Sequence, residues 1–145
     1  ASFLQQQART KDISIQSNVP HRLFVYADIN MVTTVIRNLI SNAIKFTGSF
    51  GRIAVNAHCS NDEVIVSVTD TGIGISPDKI AKIFSIESQL TTPGTNNEKG
   101  TGLGLLICKE FVEKNGGKIW VESIPNIGTS FYFSLPLSNL DANLG

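Results

Sequence analysis

Two cysteines, two histidines, one tryptophan and one methionine are few for 145 residues, and each scarcity removes a class of protein. Cys59 and Cys108 stand alone, without Cys-x-x-Cys or His-rich spacing, which argues against a zinc site and a disulfide framework. They read as small, reduced thiols in a cytoplasmic setting. Basic and acidic residues balance at 12 each, so no general basic field recruits nucleic acid or anionic lipid. No apolar run reaches the length of a membrane span, and the opening Ala1-Ser2-Phe3-Leu4-Gln5 lacks the charged and apolar regions of a signal peptide. The expectation is one domain over residues 1–145, large enough to bury a core, with no nucleic acid and no direct membrane contact. The missing Met at position 1 suggests a segment of a longer protein.

Two nucleotide-binding signatures are also missing. No Gly-Lys is followed by Ser or Thr, since Gly116-Gly117-Lys118 continues with Ile119, and this excludes a Walker loop. A dinucleotide fingerprint needs a third glycine, but Pro77 follows Gly72-Ile-Gly74 and Ile107 follows Gly102-Leu-Gly104. What is present is a pair of glycine-rich loops, Asp70-Thr71-Gly72-Ile73-Gly74 and Gly100-Thr101-Gly102-Leu103-Gly104-Leu105. The first ends the alternating run Glu63 to Thr69, a strand by period, and the second opens a helical run from Leu105 to Lys114. Glycine lets backbone N–H groups approach a ligand, and a helix start suits a phosphate. The first inference is therefore an anionic ligand, with a nucleotide favoured.

Along the chain, residues 2–9 predict a short helix, followed by strands near Ile13 to Gln16 and Leu23 to Tyr26. Asp28 is placed to cap a long helix to about Phe46, with Val32, Ile36, Leu39 and Ala43 on its apolar face. Arg52 to His58 and Glu63 to Asp70 form a hairpin around Cys59-Ser60-Asn61-Asp62. Ser76-Pro77-Asp78 starts a helix leading to Phe84. Ser85 to Lys99 shows no apolar period and reads as a long loop, of the kind that is either functional, often a lid, or disordered. Leu103, Ile107 and Phe111 line the next helix, ended by Asn115-Gly116-Gly117. Strands Lys118 to Glu122 and Thr129 to Leu135 close the fold, and Ser138 to Gly145 is a frayed tail. One strand face is apolar and the other carries Trp120, Tyr132, Arg52 and Asn56. This predicts an α/β two-layer sandwich with a mixed, mostly antiparallel sheet covered on one face by about three helices.

Asp70 shares parity with Val64, Val66 and Val68, so its carboxylate points from the end of a core face. It either caps its own Asp-Thr-Gly turn or meets a ligand. On the long helix, Asn38, Asn42 and Lys45 recur at steps of four and three, which forms one polar stripe. Such a stripe is either solvated or, beside two glycine loops, a place for a phosphate: an amide oxygen is a suitable Mg²⁺ ligand and lysine a point charge.

Taken in order, Asn38-Leu39-Ile40-Ser41-Asn42-Ala43-Ile44-Lys45-Phe46-Thr47, Asp70-Thr71-Gly72-Ile73-Gly74, Phe84, and Gly100 to Leu105 resemble the N, G1, F and G2 boxes of sensor histidine kinases. The match spans roughly residues 10–137. The resemblance implies the catalytic and ATP-binding domain of such a kinase, in the Bergerat fold shared with gyrase, mismatch-repair and heat-shock chaperone ATPases. It further implies that Asp70 bonds the adenine amino group, that Gly72 and Gly74 shape the wall against the base, and that Thr129 helps hold the same edge. Asn42 would bind Mg²⁺ between the phosphates, and Lys45 would contact phosphate oxygens. Asn38 would lie near the γ-phosphate, and Lys99 with Gly100, Thr101, Gly102, Leu103 and Gly104 would cradle the phosphate chain. Residues 85–99 become the ATP lid.

The chemistry implied is phosphoryl transfer from ATP to a histidine. Neither His21 nor His58 is followed by an acidic residue as the family's acceptor is, so the acceptor belongs to a dimerisation and phosphoacceptor domain of the parent protein, with a response regulator downstream. Glu87 stands where the family often has a second Phe, and the lid has no Arg, with Lys99 and Gln89 as nearest substitutes. Three rival readings share the fold: a regulatory module that binds nucleotide without transfer, a gyrase-type ATPase, and an anti-sigma-type serine kinase. The gyrase type needs a Glu base where Asn38 stands, and an amide cannot take a proton from water.

Overall fold

A computed structural model describes residues 14–18, 28–48, 50–84 and 104–136. The expected helix at 2–9, the strand at 23–26, the lid at 85–99 and the tail at 138–145 lie outside them. Among the described residues five strands form one mixed sheet: β1 (Ser14–Asn18), β2 (Arg52–Ser60), β3 (Glu63–Asp70), β4 (Ile119–Ile124) and β5 (Gly128–Pro136), in spatial order β1-β2-β3-β5-β4. Only β1 and β2 are parallel, and the long helix α1 (Ile29–Phe46) lies between them in sequence, as a parallel pair requires of its connection. The first strand runs slightly later than its sequence pattern indicated. The described residues also form helices α2 (Pro77–Ile80) and α3 (Gly104–Lys114).

Asp28 caps α1 as anticipated: its side chain accepts from the Met31 N–H at 3.0 Å. Its backbone N–H donates to Asn115 Oδ1 at 2.8 Å, which ties the start of α1 to the end of α3. At the other end of α3 the sequence pattern misplaced the buried face. Leu105, Cys108 and Val112 are buried, whereas Ile107 and Phe111 are only half-buried. Cys108 Sγ lies 3.7 Å from Val35 O of α1, within the stripe that steps from Leu105, while Phe111 packs half-buried against the same core. Helix α3 stops as its glycines require, with the Gly117 N–H donating to Val112 O and the Gly116 N–H to Glu113 O.

The β2–β3 hairpin turns on Asn61 and Asp62 alone, tighter than the four-residue turn expected, because Cys59 and Ser60 still pair with Val64 and Glu63. Asn61 takes the left-handed conformation the turn needs, at φ 55°. Helix α2 is also shorter than expected. Its first turn carries Pro77, but regular helix ends at Ile80 and turns carry the chain to Phe84.

On β3 the alternation holds throughout: Val64, Val66, Val68 and Asp70 are buried, and the residues between them are half-buried. Phe131, Phe133 and Leu135 of β5 face the same side and meet Leu39, Val35 and Ala43 of α1 in one core. The ring of Phe84 stands edge-on to Phe131, with centroids 6.3 Å apart. On the opposite, open face Trp120 stacks on Tyr132 at 5.4 Å, the cross-strand pair that alternation places there.

Leu39 is completely buried at the centre of α1's contact with the sheet. Leu39→Ala should lower the unfolding free energy by about 3 kcal/mol, the middle of the range for emptied leucine sites, as read from urea denaturation.

Candidate functional site

The first glycine loop is built by hydrogen bonds that leave it little freedom. The Gly72 N–H donates to Asp70 Oδ1 at 2.8 Å, so Asp70 does close its own turn. The Ile73 N–H donates to the last carbonyl of α1, Phe46 O, at 3.1 Å, and Ile73 O accepts from the Asn126 N–H at 2.7 Å. The Ile75 N–H donates to Ser123 Oγ, also at 2.7 Å. Helix α1 and the β4–β5 turn thus grip the loop from two sides. A Cβ on Gly72 would sit 2.2 Å from Phe46 O, and one on Gly74 2.3 Å from Ile124 O, so neither grip tolerates a side chain. Gly74 also holds φ at +76°.

Asp70 closes a turn, yet it is only 5% exposed. Burial pushes its carboxyl from 3.8 up to about 6, against the opposing effect of the Gly72 and Thr129 backbone N–H groups. Thr129 is its cross-strand partner and is equally buried. An ordinary turn leaves its aspartate in water. This one holds a carboxylate at the end of a valine face with two N–H donors.

Beside the loop, Asn42, Lys45 and Phe46 of α1 line a pocket with residues 73–76, Lys79, Ile83 and Leu105. Two members of the predicted stripe therefore meet the glycine loop. The third does not line the pocket: the Asn38 side chain hydrogen-bonds the Cys108 thiol on α3, whose pKa burial raises to about 12. Asp70, Gly72 and Thr129 do not line this pocket. Of the second loop only Gly104 and Leu105, the first two residues of α3, are described; Lys99, Gly100, Thr101, Gly102 and Leu103 lie outside the described residues.

Sequence reasoning missed Lys79, a second lysine that lines the pocket with Lys45. Its only signal is its place one turn after Ser76, and nothing in the spacing links that turn to α1. It also missed Ser123, whose contacts come from strand pairing. Among the described residues no group of three carboxylate, imidazole or thiolate side chains is arranged to hold a metal ion. None of the described helices is long and apolar enough to cross a membrane.

A one-sided sheet, a helix carrying an amide and a lysine beside a clamped Asp-x-Gly-x-Gly loop, and a buried carboxylate behind it define an ATPase-type nucleotide-binding domain. Residues 27–139 match the family model described as histidine kinase-, DNA gyrase B-, and HSP90-like ATPase. The chain belongs to this family and is similar throughout to the catalytic domains of sensor histidine kinases. It is 37% identical over 131 residues to the adaptive-response sensory kinase SasA of Rippkaea orientalis, a match that covers 89% of the chain and 33% of SasA. It is 35% identical over 134 residues to the sensor histidine kinase WalK of Bacillus subtilis, covering 90% of the chain and 22% of WalK. The chain thus spans a third or less of these relatives.

Among solved structures, the catalytic domain of histidine kinase ThkA superposes with a TM-score of 0.78 at 33% identity, covering 94% of this chain and 88% of that one. Full-length ShkA in complex with AMPPNP gives 0.81 at 29% identity, covering 94% and 28%.

The burial of Asp70 makes stability depend on pH with a definite sign. Below 3.8 the carboxyl is protonated whether folded or not, and above about 6 it is ionised in both states. Between those values the folded protein keeps a proton that the unfolded chain has released, so stability falls as pH rises, by about 3 kcal/mol in total. Urea unfolding at pH 4 and pH 7 should show this loss in the wild type relative to Asp70→Asn. Parallel pH profiles for the two proteins would contradict it.

Proposed function

We propose that this domain binds Mg²⁺-ATP between α1 and the Asp70–Ile75 segment and passes the γ-phosphoryl group to a histidine on a separate domain of its parent protein. The carrying observation is that Asn42 and Lys45 line one pocket with Gly74, at the end of a loop that begins at the buried Asp70. Asp70 supplies an acceptor to the adenine amino group, and guanine has a carbonyl at that position. Thr129 supports the same edge, and Gly72 and Gly74 bring backbone close to the base. The complex of the relative ShkA with AMPPNP supports an adenine nucleotide here.

Mg²⁺ favours a few oxygen ligands and its own waters, with substrate phosphates completing the sphere. The absence of a carboxylate cage among the described residues fits that mode. Asn42 would offer the amide oxygen, and when bound the ion would neutralise charge on the transferring phosphoryl group. Lys45 answers the charge of the phosphate chain, with Gly104 at the α3 start and Lys99 to Leu103 completing the cradle. Asn38 would turn from Cys108 toward the γ-phosphate. Catalysis is then mostly positioning and charge neutralisation. The acceptor histidine and the response regulator that would receive the phosphoryl group next are partners by the same reading, and the setting is the cytoplasm.

Calorimetric titration with Mg²⁺-ATP should show binding that Asp70→Asn weakens by at least about tenfold, the scale of one charge-assisted hydrogen bond. Incubation with labelled ATP and a phosphoacceptor-domain partner should label a histidine in trans. Tight binding without labelled histidine would favour the regulatory-module reading, and rapid ATP hydrolysis by the domain alone the gyrase-type reading.

A further inference from the structure

Helix α2 and the turns after it give one side to the pocket. Ser76, just before the helix, then Lys79 and Ile83 line it at steps of three and four, the spacing of one helical face. The Lys79 backbone N–H donates to Ser76 O at 3.0 Å, and Lys79 O accepts from the Lys82 N–H at 3.0 Å, so the root of the Lys79 side chain is fixed by its own turn. Lys82, also exposed and only three residues further, stands outside the lining. Asn42, Lys45 and Phe46 of α1 line the same pocket.

Two lysines therefore reach one pocket from elements more than thirty residues apart, and no aspartate or glutamate is in the lining. Like charges gathered in one place repel, and an anion that enters the pocket relieves both. The two lysines are not equivalent. Lys45 is half-buried, with its ammonium held over the Phe46 ring at 5.0 Å, whereas Lys79 is exposed. A solvated ammonium on a four-carbon stem is a movable point charge, able to follow a phosphate without a fixed fork geometry. The sequence between Phe84 and the second glycine loop adds to the need. Residues 85–99 contain Lys99, Glu87 and Glu98 and no arginine, so this segment brings no net positive charge to the ligand. Positive charge has to come from elements that already line the pocket.

We infer that Lys79 is a phosphate-contacting residue, which serves the nucleotide's phosphate chain from α2 as Lys45 serves it from α1. The inference rests on the proposed reading that Asn42 and Lys45 face the phosphates, and it adds a residue that belongs to neither glycine loop nor to the α1 stripe. The phosphate chain of ATP remains anionic after one Mg²⁺ has bound, so charge is left for a second lysine. An exposed lysine on a short turn is ordinarily a solvated charge and nothing more. What separates Lys79 from Lys82 is its place on the face that lines the pocket.

The experiment compares Mg²⁺-ATP with adenosine, which lacks phosphates, by calorimetry on the 145-residue chain, with adenosine measured through its competition with ATP. Lys79→Gln should weaken ATP binding by about fivefold, the upper end for an exposed ion pair, and leave adenosine unchanged. The loss should shrink as NaCl is raised, because salt screens an exposed charge. Lys79→Arg, which keeps the cation, should restore ATP affinity. Lys82→Gln should leave both ligands at their wild-type affinities.

Equal loss of ATP and adenosine in Lys79→Gln overturns the inference, since it marks a residue that shapes the pocket or touches ribose or base. An unchanged ATP affinity overturns it as well, and so does an equal loss in Lys82→Gln, the sign of a general field. Lys45→Gln tests the reading beneath: wild-type ATP affinity in that variant overturns the phosphate side of the proposed nucleotide site, whatever Lys79 does.

Discussion

Asp70 ends a strand face whose other three members are valines, and at 5% exposure its carboxylate has given up nearly all its water. In exchange it has two backbone N–H groups, which do not repay the desolvation, since burial still pushes its pKa up to about 6. A core aliphatic residue at the end of β3 would relieve that cost. The surrounding structure is arranged to hold the carboxylate there: the turn to Gly72, the pairing with Thr129, and a glycine loop clamped between α1 and β4–β5. A destabilised group kept so firmly in place is the pattern of a site that awaits a ligand donor.

The clamp explains why the two glycines are not interchangeable. Gly72 lies against the last carbonyl of α1, and Gly74 against the backbone of the β4–β5 turn. Helix and sheet edge therefore reach the loop through main-chain atoms, whose positions the ladders and the helix already determine. Preorganisation follows from this geometry. A ligand meeting the loop would not have to order it, and the entropy of fixing those residues belongs to folding.

Much of this was readable from residue order, and the limits have physical causes. Strand parity placed Asp70 correctly because alternation needs no knowledge of neighbours. The Asp28 cap and the glycine stop of α3 are local hydrogen-bonding events and were equally legible. The buried face of α3 was not, because Ile107 and Phe111 are as apolar as Leu105 and Val112, and only the position of α1 selects between the stripes. Lys79 and Ser123 escaped for a related reason. Each acts across a contact between elements distant in the chain, and neither sits in a motif. Asn38 and Asn42 share a stripe by spacing, yet a single turn of helix separates a neighbour of Cys108 from the pocket wall.

The placement of the pocket at the C-terminal end of α1 poses an electrostatic problem that the same elements resolve. A helix C-terminus carries free carbonyls and negative partial charge, which disfavour an anion. Here three of the last four are taken: Phe46 O by the Ile73 N–H, Ala43 O by Thr47 Oγ1, and Ile44 O by the Thr47 N–H. Lys45 in the last turn supplies a cation, and its ammonium also lies over the Phe46 ring at 5.0 Å. Capping by the glycine loop thus does two things at once. It fixes the turn that Asp70 closes, and it takes up the last carbonyl oxygen of α1, Phe46 O, on the side where phosphates would have to approach. An amide and lysines, instead of more backbone N–H groups, are what remains available at that end of a helix to attract a nucleotide's charge.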